Sequence, residues 1–179
     1  MHIAHILRKY DPAEWGGTET AVLRLVEGLQ AHGATSTVYA PQLRVVPAAD
    51  PLADAGAVVR RYRSFVPVLG ISPQQREQLV RWGGNVMSFD LLWQLRRDTP
   101  HIVHTHALNR LAGVAMLAAR SRGVPFVVSI HGGACDLPVD VQAKLTEPLR
   151  GGFEWGKALG MLVKSIDLRD VYVKSFINS

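Results

Sequence analysis

The sequence predicts an α/β protein: a doubly wound, mostly parallel sheet with helices on both faces, in a single lobe. Three observations predict it. Short apolar or β-branched runs alternate with helical patterns from the first residues to about residue 130. The clearest unit is His101 to His104, an Ala- and Leu-rich helix from Leu108 to Arg122, and the fully apolar run Phe126 to Ile130, of the kind buried in parallel sheets. Finally, Gly16 and Gly17 fall between the end of a strand and the start of a helix, where such folds turn back onto the sheet.

Taken in order, His2 to Leu7 reads as a short buried strand. The helix after it runs to His32, with Val22, Leu25, Val26 and Leu29 at i, i+3, i+4 and i+7. Thr18 is the expected cap, Glu19 places charge in the first turn, and Gly33 suits a left-handed stop. Ser36 to Ala40 is β-branched and aromatic, a second strand ended by Pro41. Gln42 to Ala57, with Pro47 and Pro51, reads as surface loop. Val58 to Tyr62 is a third strand, placed near a sheet edge by its two arginines.

Ser72-Pro73 opens a helix from Gln74 to Trp82, with Ser as cap and Pro at the first helical position. Gly83-Gly84 breaks it, and a second piece runs from Ser88 to Arg97 with Phe89, Leu92, Trp93 and Leu95. The βαβ unit follows, stopped by Gly123-Val124-Pro125 before its second strand. Beyond Ala134 the pattern is irregular, with an amphipathic piece near Val141 to Leu145, a helix expected over Phe153 to Lys164, and Val171 to Val173 as a final strand.

Composition sets outer limits. A chain of 179 residues suits one domain or half of a two-lobed enzyme, burying roughly 70% of its unfolded surface. A net charge of +5 is compatible with phosphate-bearing ligands or anionic membrane surfaces. Arg60, Arg61 and Arg63, with Arg76, Arg81, Arg96 and Arg97, motivate the membrane option; the plainer reading of the first three is a solvated edge. The single cysteine, Cys135, excludes an internal disulfide framework and is most simply a small loop residue. No apolar run reaches a membrane span and no secretory leader is recognisable, so a cytoplasmic location is expected, with peripheral membrane contact as an addition.

Ligands of open α/β sheets collect outside the carboxyl ends of the strands. Three loops reach that rim: Gly16-Gly17, His104-Thr105-His106 and His131-Gly132-Gly133. At the first, glycine lets backbone approach a ligand, and the N–H groups and positive end of a helix can meet a phosphate. Trp15 either stacks on a ligand ring or covers the loop. Zinc could use His104, His106 and His131, but an H-x-H pair points one way only if the strand continues to His106, and no Asp or Glu lies nearby to complete the set. His104 is otherwise a buried strand-end residue hydrogen-bonded to backbone. His131 is the stronger candidate: where an apolar strand meets Gly-Gly, its neutral imidazole faces a cleft and can donate to or accept from a ligand hydroxyl.

These residues resemble the N-terminal, acceptor-side domain of family-4 retaining glycosyltransferases, enzymes built from two Rossmann-like lobes in the GT-B architecture. The likeness is carried by Trp15-Gly16-Gly17-Thr18-Glu19 with the Val22 to Leu29 helix and Gly33, by Ile102 to His106, and by Val124 to Gly132. It extends to about Lys164, so residues 1–179 are expected to form one such domain, with 165–179 poorly matched. The resemblance implies that Gly16, Gly17 and Thr18 lie near the donor diphosphate and the acceptor. It implies that His104 and His106 line the acceptor cleft, and that His131 with Gly132 meets the transferred hexose, His131 as the catalytic residue. Substrates would be a nucleotide-sugar donor and an unknown acceptor; no cofactor, metal or nucleic acid is expected. In that family the donor is held chiefly by a C-terminal lobe not found in this sequence. The isolated chain is therefore expected to be inactive: a truncated product, an excised domain or one half of a split enzyme that needs a separate C-terminal lobe. The competing reading is a free-standing Rossmann-like module that binds a phosphorylated ligand or a partner protein without catalysis. A dinucleotide-dependent dehydrogenase fits less well, since no G-x-G-x-x-G follows the first strand.

Overall fold

The computed structural model describes residues 1–43, 47–81, 86–106, 110–131 and 153–154. Strands β1 (His2–Ile6), β2 (Thr35–Pro41), β3 (Val58–Tyr62), β5 (Ile102–Thr105) and β6 (Phe126–Val128) form a five-stranded, all-parallel sheet in the order β3-β2-β1-β5-β6. The chain builds outward from β1 to β3, then crosses back to lay β5 and β6 on the other side of β1. The reversal lies between β1 and β5, the point where a crevice opens at the carboxyl edge of such sheets.

Both faces are covered, as the alternation of elements predicts. Helix α1 (Gly17–Ala31) and the short α2 (Pro51–Asp54) cover one face, where Val22, Val26 and Leu52 pack on Leu7, Val38 and Ala40. On the other, α4 (Phe89–Asp98) and α5 (Arg110–Arg122) pack Leu91, Leu95, Leu111, Ala115 and Ala119 against Ala4, Ile6, Tyr39 and Val103. Helix α5 is buried along most of its length because it lies between the sheet and α4, the sandwiched position its uniform apolarity calls for. Tyr62 is fully buried, and its hydroxyl donates to the Leu7 carbonyl at 2.8 Å, so the ring fills the core without stranding a polar atom.

Three helices end the same way. Gly33, Gly56 and Gly123 each have positive φ (+74°, +90° and +64°) and each leads within three residues into β2, β3 or β6. After α1, the Gly33 N–H donates to Gln30 O and the Ala34 N–H to Leu29 O, closing the last turn; Gly56 with Ala57 and Gly123 with Val124 repeat the pattern.

Several expectations are corrected. The cap of α1 is Gly16, with no side-chain hydrogen bond, and Thr18 lies within the first turn. The segment read as loop from Gln42 to Ala57 contains α2: Asp50 accepts from the Leu52 and Ala53 N–H groups, Pro51 takes the first helical position, and the Tyr10 hydroxyl also donates to Asp50. Strand β6 is not a buried central strand. Among the described residues it is an edge three residues long, covered by α5 on the Phe126 and Val128 side, with Val127 43% exposed on the other. On α4 it is Leu91 and Leu95 that pack, while Phe89 and Trp93 are exposed.

Helix α3 (Pro73–Arg81) starts as predicted; the Gln75 N–H donates to Ser72 Oγ while Gln75 Oε1 accepts from the Ser72 N–H, a reciprocal cap. A two-residue strand β4 (Val68–Leu69), not foreseen, pairs antiparallel with β7 (Phe153–Glu154), so the helix expected at Phe153 begins instead as strand. The expectations for Gly83-Gly84, Gly132, Cys135, Val141 to Leu145 and 155–179 lie outside the described residues. No described helix is long and apolar enough to cross a membrane.

Candidate functional site

Parallel pairing of β1, β5 and β6 brings the loops after these strands to one edge of the sheet. Gly16 and Gly17 stand there at the start of α1. A Cβ on Gly17 would meet nothing within 4 Å, so open space adjoins the first N–H groups of the helix. A Cβ on Gly16 would lie 3.0 Å from Glu19 Oε2. The buried Glu19 carboxylate thus already occupies the flank of Gly16, and an incoming anion has room only on the Gly17 side. Trp15 covers the loop: its indole N–H donates to Thr20 Oγ1 at 2.9 Å and its ring meets the Tyr10 edge.

Period two along the strands explains the rest of the site. His5 is in register with His104, and His104 with Val127, so these three point to one face. His106, Ser129 and His131 continue the same alternation past the strand ends, because the ladder outlasts the named strands: the His106 N–H donates to Ile6 O and the Ser129 N–H to Thr105 O. This meets the condition that the H-x-H pair required, and the rings of His104 and His106 lie 4.1 Å apart.

The result is a cluster of four imidazoles running from the core to the rim. His5 is fully buried; Nδ1 of His5 lies 3.3 Å from Nε2 of His106. Nδ1 of His106 lies 2.8 Å from Nε2 of His131, and the two rings stack at 5.1 Å. His104 pairs through Nε2 with Ser129 Oγ at 2.8 Å, a neighbouring-strand hydroxyl and not the backbone partner expected. His131 is exposed at the outer end of the cluster. Burial, reinforced by His104, pushes His5 down to about 3. Burial, with His104, His5 and His131 around it, pushes His106 down to about 2, and His104 is lowered chiefly by burial. These rings are therefore neutral, with lone pairs to offer.

The structure thus joins four of the predicted site residues, Gly16, Gly17, His104 and His106, to His131 on one edge. Thr18 sits in the first turn of α1 just behind the glycines, and Gly132 lies outside the described residues. His5 was missed. Its only signal in the sequence is an imidazole in the middle of an apolar strand. His5, His104 and His106 each offer a nitrogen, all within 4.8 Å of one another, and could hold a divalent ion such as zinc. His5 would be the third ligand in place of the expected His131. Some of the arginines that motivated a basic surface are engaged within the fold: Arg61 Nη1 donates to Tyr10 O and Pro41 O, Arg76 donates to Val66 O and Val68 O, and the partly exposed Arg60 pairs with Asp98 at 2.9 Å. A shallow hollow of about 420 Å³ between α1 and α2, lined by Glu27, Gln30 and Asp54, lies at the opposite, amino end of the sheet and takes no part.

Residues 16–163 match the family model described as "Glycosyl transferase 4-like domain". A comparison with curated proteins gives no match. Among solved structures the chain is similar to the crystal structure of Acinetobacter baumannii MurG, with 16% sequence identity and a TM-score of 0.45. That similarity covers 81% of this chain, which spans 38% of the other.

Proposed function

We propose that this chain, which belongs to the glycosyl transferase 4-like domain family, forms the acceptor-side wall of a cleft in which a sugar passes from a nucleotide-sugar to an acceptor with retention of configuration. One observation carries the reading: the glycine-started helix α1 and the imidazoles of β5 and β6 share the carboxyl edge where the strand order reverses. Helix N–H groups beside open space suit a leaving diphosphate, and imidazoles beside them suit hydroxyls of a sugar. Half a cleft cannot exclude water or hold both substrates, so the activity belongs to this wall joined to a donor-binding lobe.

The glycine supplies the test. Nothing in the fold fills the space a Gly17 side chain would take. In the chain joined to a donor-binding lobe, Gly17→Val should leave the thermal midpoint unchanged and raise the donor KM about tenfold, roughly 1.4 kcal/mol. An unchanged KM would remove the diphosphate from this helix end, and no transfer at all by the joined protein would favour the competing reading, a module that binds a phosphorylated ligand or a partner protein without catalysis.

Peripheral contact with an anionic membrane is a second part of the reading. Phe65 and Phe89 stack at 5.8 Å, Trp93 carries the Arg97 guanidinium over its ring, and these aromatics with Leu69 are 41–63% exposed. Aromatic rings interleaved with arginine suit the headgroup region of a bilayer. Trp93→Ala should weaken binding to anionic vesicles in a co-sedimentation assay several-fold; equal binding of both proteins would remove the contact.

A further inference from the structure

The histidines form a chain with a direction. His5 Nδ1 meets His106 Nε2, and His106 Nδ1 meets His131 Nε2. A neutral imidazole has one N–H and one lone pair, so His106 must donate on one side and accept on the other. Only two hydrogen arrangements fill both links. In the first, His5 Nδ1–H donates to His106, His106 Nδ1–H donates to His131, and His131 keeps its own hydrogen on Nδ1. In the second every hydrogen is reversed, which strands an N–H on His5 Nε2. That atom is buried and has no partner among its neighbours. A buried N–H without an acceptor is the rarer and costlier outcome.

We infer that His5 and His106 act as positioning residues that lock His131 in its Nδ1–H tautomer, so that the cleft is offered a neutral N–H donor and not a lone pair. The partner of that donor is an acceptor oxygen, a sugar hydroxyl or a phosphate oxygen; a group that must lose a proton to His131 is excluded. The tautomer is a property of the chain itself. The identity of the oxygen rests on the functional reading above.

The test separates the two. Ring ¹⁵N correlation spectra of the ¹⁵N-labelled chain at neutral pH report which nitrogen of each histidine bears hydrogen. The expected result is hydrogen on Nδ1 of His5, His106 and His131, the opposite of the form free histidine prefers in water. His106→Asn, whose amide N–H₂ can stand in for Nδ1–H, should keep His131 in that form; His106→Leu should release it to the Nε2–H form. Joined to a donor-binding lobe, the Leu variant should lose about tenfold in kcat and the Asn variant much less. Hydrogen on Nε2 of His131 in the unaltered chain overturns the inference whether or not the variants fold. So does a His131 tautomer indifferent to His106→Leu, or stoichiometric zinc taking the lone pairs of His5 and His106. Normal tautomers with no transfer activity in any variant would instead count against the functional reading.

Discussion

Lowering the pH from 7 to 4.5 should destabilise the fold by about 5 kcal/mol, on the order of the whole stability of a domain this size. The cause is burial of neutral histidines. Unfolded histidine takes up a proton near pH 6.5, whereas folded His5 and His106 stay neutral down to about 3 and about 2. Below pH 6.5 the unfolded chain therefore binds more protons than the folded one, and stability falls as pH falls. It is complete above about 6.5 and declines until the folded values are reached. Each such histidine costs about 1.4 kcal/mol per pH unit, so two of them over two units give the figure above. His104, shifted the same way, adds to it. The groups that shift these two are other imidazoles, and like charges only deepen the penalty. Denaturant titrations at pH 7.5, 6.5, 5.5 and 4.5 measure the slope, and His5→Phe should reduce it by one proton. A flat profile between pH 7.5 and 5.5, where carboxylates contribute little, would mean that water reaches these rings.

How much of this could be read beforehand depends on the range of the forces involved. The sheet and its major helices were legible because hydrophobic period and glycine stops are local: Val22 and Val26 declare α1, and Gly33 and Gly123 end helices at positive φ as expected. Helix α2 was legible in principle, since Asp50-Pro51 is a cap followed by a first helical position and Gly56 is the third stop. A four-residue helix has too short a period to stand out from its Pro-containing surroundings. The exposure of β6 was not legible, because an apolar run does not say whether a second helix covers its far face. The β4–β7 pair joins residues distant in sequence. His5 belongs to the same class. It enters the site only through its register with His104, and register is set by tertiary pairing that no local pattern encodes. His104, His106 and His131 could be named because each ends a recognisable strand, and ends of parallel strands share an edge.

Replacing His131 by alanine should lower kcat about 100-fold in the chain joined to a donor-binding lobe, with KM changed far less. The size follows from what the ring offers. It is exposed at the rim and joined to His106 through Nε2, and on the proposal above its Nδ1–H is the atom that meets the sugar. A hydrogen bond that forms or strengthens only as charge shifts from the sugar to the departing diphosphate lowers the barrier and not the ground state. Removing one such donor costs roughly 3 kcal/mol. The fold should hardly respond, because an exposed ring leaves no cavity and water can replace it beside His106. Melting curves of the variant should therefore overlay the parent, while steady-state kinetics separate them; Cys135→Ala is the neutral control. Loss of kcat together with loss of stability would make His131 a structural cap on the histidine column. Unchanged kinetics would mean that the transferred sugar lies beyond reach of β6, leaving the α1 end of the edge as the only part of the wall that touches substrate.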